Sequence, residues 1–183
     1  MEPLAIIFIF FSWYFLSRRR LVTSAIFLGY AITTKQYLIL MVPAITRLLW
    51  RWSTKKFVIY FVSTTLIIVL ICAPFVIWDQ DGFIRNVISL QINYPPRYEG
   101  LTLFSFLHMF GINYNGTSSN LLILCGLLII FFQKKIDLQK YFYLTTFLLF
   151  TFFIFNKWAF INYYYLIIQL LVIQIAHSKK ISN

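Results

Sequence analysis

Two cations of the sequence stand where a phosphate could bind. Lys35 lies between two apolar runs and is followed by Gln36, and Arg97 follows Pro96. Proline stiffens the backbone, and a guanidinium on a stiff segment can bind two phosphate oxygens at once. A cation at the edge of hydrocarbon meets lipid-linked phosphates, so both residues are candidate anion ligands. Two alternatives stay open: Lys35 reaches the lipid headgroups by snorkelling, and Arg97 is a solvated charge paired with Glu99.

A second polar group precedes the last apolar run. Lys157 lies in a turn between two runs, and Asn162 and Tyr163 follow it closely. Helical spacing places Trp158, Asn162 and Tyr165 on one face, so we expect the amide of Asn162 to point into a helical bundle. The alternative is that these aromatic residues form the belt found at membrane interfaces.

The carboxylates offer a further pattern. Asp79 and Asp81 form an acid-x-acid motif that resembles the divalent-metal motif of many sugar-nucleotide enzymes. Helix capping is the favoured explanation of the motif, with Asp81 as the N-cap of an amphipathic helix over Phe83–Ile92. His108 and His177 stand alone, so the sequence predicts neither a metal site nor a cofactor.

The composition indicates which solvent these residues meet. Hydrophobic residues make up 61% of the 183 residues and charged residues 11%, whereas a soluble domain has about 25% charged residues. Mean hydropathy is +0.79, which favours a lipid environment. The net charge of +11 is distributed between apolar runs, so we expect lipid and not nucleic acid as the partner.

The apolar runs predict an all-α, polytopic transmembrane helical bundle of about seven crossings. The runs are Leu4–Leu16, Leu21–Thr34, Gln36–Leu49, Phe57–Trp78, Asn120–Phe132, Tyr141–Phe155 and Trp158–Ala176. Several are shorter than the roughly 17 residues of a full span. A rival interpretation joins Leu21–Pro43 into one helix, which would put Arg20 and Arg47 on opposite sides of the membrane. The positive-inside rule disfavours that arrangement.

Charge sets the orientation. With a hairpin at Lys35, twelve basic residues share one side with a single acid, Asp137. They are Arg18, Arg19, Arg20, Arg47, Arg51, Lys55, Lys56, Lys134, Lys135, Lys140, Lys179 and Lys180. This side is predicted to be cytoplasmic, with the N-terminus outside and the C-terminus cytoplasmic. Residues 1–183 then form one transmembrane domain of a multi-pass protein, expected in the bacterial cytoplasmic membrane. Its extracytoplasmic segment 79–119 carries short amphipathic helices over Phe83–Ile92 and Leu101–Phe110.

Three stretches together resemble a known family. They are Thr34–Tyr37 leading to Pro43, Pro74–Asp79 leading to Pro96 and Arg97, and Asn156–Tyr164. They are similar to the second half of bacterial integral membrane glycosyltransferases of the GT-C superfamily, in particular the polyprenol-phosphate-sugar-dependent mannosyltransferases. The resemblance implies transfer of a hexose such as mannose from a polyprenyl phosphate to an acceptor hydroxyl outside the cytoplasm. It also implies two groups of residues: Lys35, Arg97 and Lys157 at the donor phosphate, and Gln36, Asn162 and Tyr163 lining the pocket.

Such chemistry needs cations and a base. Fixed cations stabilise the departing phosphate, and a carboxylate accepts the proton of the acceptor hydroxyl. In the family this carboxylate lies in the first extracytoplasmic loop, ahead of the matched region, where this chain has only Glu2. Either Asp79, Asp81 or Glu99 replaces it, or the chain is the C-terminal part of a longer protein and is inactive by itself. A multi-pass transporter or flippase and a non-catalytic membrane fragment remain the alternatives.

Overall fold

The computed structural model describes residues 2–89, 97–112, 126–129, 132–133, 136–156 and 159–181. Every regular element within these ranges is helical, which confirms the all-α class. The α-helices are α1 (Glu2–Ser17), α2 (Leu21–Thr34), α3 (Val42–Trp52), α4 (Thr54–Trp78), α5 (Gln80–Ile84), α6 (Leu103–Met109), α7 (Leu138–Phe155) and α8 (Ile161–Ile181). A 3₁₀ segment (Gln36–Met41) lies between α2 and α3, and a π-helical segment (Arg85–Ser89) follows α5.

The apolar runs predict most helix positions. Helix α2 has the predicted bounds, whereas the run Gln36–Leu49 divides into the 3₁₀ segment and α3. Pro43 accounts for the division because proline lacks an N–H and fits only the first turn of an α-helix. Most of the run Asn120–Phe132 lies outside the described residues, of which 126–129 are helical.

The predicted cap of the first amphipathic helix is wrong. Asp79, not Asp81, is the N-cap of α5, and its Oδ1 accepts the N–H of Gly82 at 2.9 Å. Helix α4 ends at Trp78, so Asp79 is the residue with the extended backbone (φ −149°) that an N-cap requires. Asp81 instead lies in the first turn of α5.

The structure places the basic segments at one end of the bundle. The guanidinium of Arg19, between α1 and α2, lies 3.7 Å from the centre of the Trp52 ring at the end of α3. Arg47 donates to the carbonyl of Gln133 at 3.2 Å, and Lys140 donates to the Gln133 side chain at 2.7 Å. The chain therefore turns back at Lys35, and the single helix over Leu21–Pro43 is excluded. We call this the basic end; its described cations are Arg18, Arg19, Arg20, Arg47, Arg51, Lys55, Lys56 and Lys140.

Buried hydroxyl groups join the first helices. Helix α2 packs against α1 and α4. The Ser24 hydroxyl contacts the Ser12 hydroxyl at 3.3 Å and the Tyr60 hydroxyl at 3.1 Å, and all three side chains are buried. The Trp13 ring stacks on Phe142 with centroids 4.2 Å apart, which attaches α7 to α1. These contacts hold α2, the first helix of the hairpin, against α1 and α4, and they hold α1 against α7.

Two described helices are long and apolar enough to cross a membrane, namely α4 and α7. Only 6% of the most apolar 18 residues of α4 are buried, compared with 39% in α7. Helix α4 therefore turns most of its apolar side chains outward, including Val62, Leu66 and Leu70. Surface of this kind is typical of a helix in contact with lipid.

Candidate functional site

A cavity of about 460 Å³ lies beside Lys35, at the end of the bundle opposite the basic end. We call it the Lys35 cavity. It collects polar and aromatic side chains from the end of α2, the 3₁₀ segment, the end of α7 and the start of α8. Its described lining residues are Thr33, Thr34, Lys35, Gln36, Tyr37, Ile39, Leu40, Phe152, Phe153, Asn156 and Tyr163.

The backbone at Lys35 sets the position of its side chain. Lys35 is extended (φ −144°, ψ 104°) and its N–H donates to the carbonyl of Ala31 at 2.9 Å, which ends α2. Its own carbonyl accepts the N–H of Leu38 at 3.0 Å, which begins the 3₁₀ segment. The ammonium lies 5.5 Å from the centre of the Tyr163 ring, within cation–π range. Lys35 is thus a half-buried cation held between two helical segments.

Aromatic rings form the opposite wall of the Lys35 cavity. The Tyr37 ring meets the Phe153 ring edge to face at 4.9 Å and the Tyr163 ring at 5.5 Å. Phe153 and Tyr163 are themselves 5.1 Å apart. Edge-to-face rings of this kind pack rigidly. The cluster fixes the hairpin tip against α7 and α8, although Tyr37 is more than a hundred positions from Phe153 and Tyr163 in the sequence.

Arg97 lies near the start of α8, outside the Lys35 cavity. Its guanidinium is 5.8 Å from the centre of the Phe160 ring. The N–H of Leu101 donates to the carbonyl of Ala159 at 2.7 Å, and the Tyr164 hydroxyl donates to the carbonyl of Leu101 at 2.5 Å. The segment after Arg97 is therefore attached to the start of α8.

The structure brings together only some of the predicted site residues. Lys35, Gln36 and Tyr163 line the Lys35 cavity, whereas Arg97 and Asn162 do not. Asn162 is half-buried, but Tyr165, predicted on the same face, is 55% exposed. Lys157 and Trp158 lie outside the described residues.

Sequence reasoning missed several lining residues. In the sequence, Tyr37, Phe152 and Phe153 are ordinary members of apolar runs. Asn156 begins the stretch Asn156–Tyr164 but has no predicted role. Their position at the ends of runs, next to polar residues, is the available signal. Aromatic residues at such ends also form membrane belts, so that signal does not identify a cavity.

The candidate carboxylates lie elsewhere. Asp79 is occupied as the cap of α5, and Asp81 and Glu99 are exposed. None of the three lines the Lys35 cavity. Within the described ranges, no three His, Cys, Asp or Glu side chains are grouped as metal ligands.

An apolar cavity of about 170 Å³ adjoins this region between α2, α3 and α4. Ile39 lines both this apolar cavity and the Lys35 cavity. Its other walls include Leu28, Ile32, Ile45 and Phe57, so it extends from the hairpin tip toward the basic end. The Lys35 cavity supplies a cation and polar groups, and the apolar cavity supplies hydrocarbon side chains. This arrangement fits an amphiphile with an anionic head.

No family model, curated protein or solved structure matches the chain. The geometry of the two cavities therefore carries the functional interpretation.

Proposed function

We propose that this chain binds a polyprenyl-phosphate hexose and takes part in its transfer to an acceptor hydroxyl on the extracytoplasmic side of a bacterial cytoplasmic membrane. The observation that carries the proposal is the pair of cavities that share Ile39. The Lys35 cavity suits a sugar phosphate, and the apolar cavity suits the adjoining isoprenoid chain. The resemblance to GT-C glycosyltransferases leads to the same substrate class.

The proposal requires a polytopic arrangement of about seven crossings with the basic end in the cytoplasm. The grouping of cations at one end supports this orientation, because a cytoplasmic excess of Lys and Arg is the main charge signal of topology. Helix α2 has 14 residues and is therefore about 21 Å long, whereas the hydrocarbon core is about 30 Å thick. Lys35 would then lie recessed below the outer surface, in a dent lined by protein.

The recess gives Lys35 its proposed role. As the glycosidic bond breaks, the phosphate leaving group gains negative charge, and a cation held beside it stabilises that charge more than the ground state. Protein walls lower the effective dielectric constant in such a dent, which strengthens the attraction. Deprotonation of the acceptor requires a carboxylate, which we propose comes from outside the described lining residues. Arg97, Lys157 and Asn162 remain proposed neighbours of the donor.

The orientation can be tested by cysteine labelling. In a chain with Cys72→Ser and Cys125→Ser, we expect Gln36→Cys to react with a membrane-impermeant maleimide added outside intact cells. Lys55→Cys, at the basic end, should react only after the membrane is opened. Mass shift on a gel measures both reactions. Labelling of Gln36→Cys only after opening would contradict the orientation and the donor site with it.

Transfer and transport can be separated in vesicles. Proteoliposomes that contain the chain, together with any longer reading frame to which it belongs, are supplied with a radiolabelled polyprenyl-phosphate hexose. We expect donor-dependent transfer of the label to an acceptor, and no net movement of the sugar lipid between leaflets. Movement without transfer would contradict the proposal and favour a flippase.

A further inference from the structure

The basic end carries one cation that the chain holds in place at a conformational cost. Arg19 has a backbone φ of 59° and is the one described residue other than glycine in the left-handed region. This conformation ends α1 in a Schellman motif, in which the Arg19 N–H donates to the carbonyl of Leu16 at 3.0 Å and the Arg20 N–H donates to the carbonyl of Phe15 at 2.9 Å. Glycine is usual at this position, so an arginine there carries a conformational cost. The guanidinium rests 3.7 Å from the centre of the Trp52 ring. A guanidinium on a ring keeps the N–H groups at its edge available for a second ligand.

Positive charge around Arg19 is not neutralised by the chain. Arg18, Arg20, Arg51, Lys55 and Lys56 are all exposed at this end. The chain has five acidic residues, of which Asp137 alone belongs to the basic end. Its carboxylate accepts the N–H of Lys140 at 2.7 Å as the cap of α7 and can offset only one of these charges. The remaining exposed charges create a positive potential that attracts external anions.

Exposed aromatic residues indicate the depth at which this charge lies. Tyr14 and Trp50 are 44% and 55% exposed and flank the basic end. The Arg18 guanidinium lies 5.6 Å from the centre of the Tyr14 ring. Tyr and Trp with one apolar and one wet side are typical of the lipid headgroup level. The anion present at that level is a phospholipid phosphate.

We propose that the basic end is a binding site for an anionic phospholipid, with Arg19 on Trp52 as its fixed phosphate ligand. The neighbouring Arg and Lys side chains add a mobile set of charges. The inference requires the membrane embedding proposed above. It does not depend on the Lys35 cavity, which lies at the opposite end of the bundle.

Arg19→Gly tests the site without removing the fold. Glycine adopts a φ of 59° without strain, so the variant should be at least as thermally stable as the parent in neutral detergent. Phosphatidylglycerol is titrated in, and native mass spectrometry measures the bound lipid. We expect about tenfold weaker binding by Arg19→Gly, because a charge-assisted hydrogen bond contributes about that factor. Trp52→Leu should weaken binding in the same direction.

One control removes the same charge outside the basic end. Arg85→Ala removes an exposed cation of the π-helical segment and should keep the phosphatidylglycerol affinity within about a factor of two. An equal loss in Arg19→Gly and Arg85→Ala would overturn the site and leave only diffuse attraction. Equal binding of phosphatidylcholine, or full competition by inorganic phosphate, would overturn the assignment to an anionic lipid.

Discussion

Alanine at position 35 is expected to weaken the binding of a polyprenyl-phosphate hexose by about tenfold or more. Lys35 is the described cation that lines the Lys35 cavity, and its ammonium is held near the Tyr163 ring. A charge-assisted hydrogen bond to phosphate contributes about 1.5–3 kcal/mol, which corresponds to at least tenfold in affinity. Quenching of tryptophan and tyrosine fluorescence during titration with the lipid measures the change.

Charge-matched variants make the result specific. Lys35→Arg keeps the positive charge and should retain most of the affinity, although the planar guanidinium of arginine replaces the compact ammonium of lysine. Lys140→Ala removes one charge at the basic end and should leave donor binding unchanged. The donor-site assignment is wrong if Lys35→Ala and Lys140→Ala bind the lipid equally well, or if both lose affinity to the same extent.

Leucine at position 29 is expected to destabilise the bundle by about 3 kcal/mol or more, which is near the upper end of ordinary overpacking effects. Gly29 lies where α2 packs closely against α4. A Cβ added there would stand 2.8 Å from the Cβ of Ile67 and 3.1 Å from the backbone oxygen of Thr64. Because the second contact is with backbone, the helices must separate to make room. Thermal unfolding in detergent measures the loss.

A second-site change separates the clash from a general effect of leucine. Ile67→Ala removes the Cγ2 atom that would lie 2.9 Å from the added Cβ and keeps the Cβ atom at 2.8 Å, so the double variant Gly29→Leu with Ile67→Ala should recover part of the lost stability. Val22→Leu enlarges an exposed residue of the same helix and should change stability little. If Ile67→Ala gives no recovery, the close approach of α2 and α4 at Gly29 does not limit the packing.

The helices that could be predicted are those whose causes are local. The bounds of α2 follow from an apolar run between Arg20 and Lys35, and α4 follows the run Phe57–Trp78 closely. Charges are costly in hydrocarbon, so their spacing alone marks where such segments end. The cap of α5 escaped prediction because it depends on where α4 stops, and two aspartates near that point fit the pattern equally.

The candidate site was predictable only in part. Lys35 is a candidate from the sequence because a cation at the edge of hydrocarbon can bind a lipid-linked phosphate, and Gln36 follows only from the resemblance to GT-C glycosyltransferases. Phe152 and Phe153 were missed because their contact with Tyr37 joins segments far apart in the sequence. Arg97 and Asn162 were expected at the same cavity but are not among its described lining residues. The hydrogen bond from the Leu101 N–H to the Ala159 carbonyl attaches the segment after Arg97 to the start of α8.

The amino-acid sequence by itself determined that this chain is helical and apolar, and it indicated which connections share the basic end. Each of these follows from the free energy of placing a charge or an apolar side chain in water or lipid, which depends on residue type and order. The tertiary structure alone decided which side chains line the Lys35 cavity and that Ile39 lines both this cavity and an apolar one. Those features depend on how side chains from distant helices fill the space between them, and no local pattern encodes that fit.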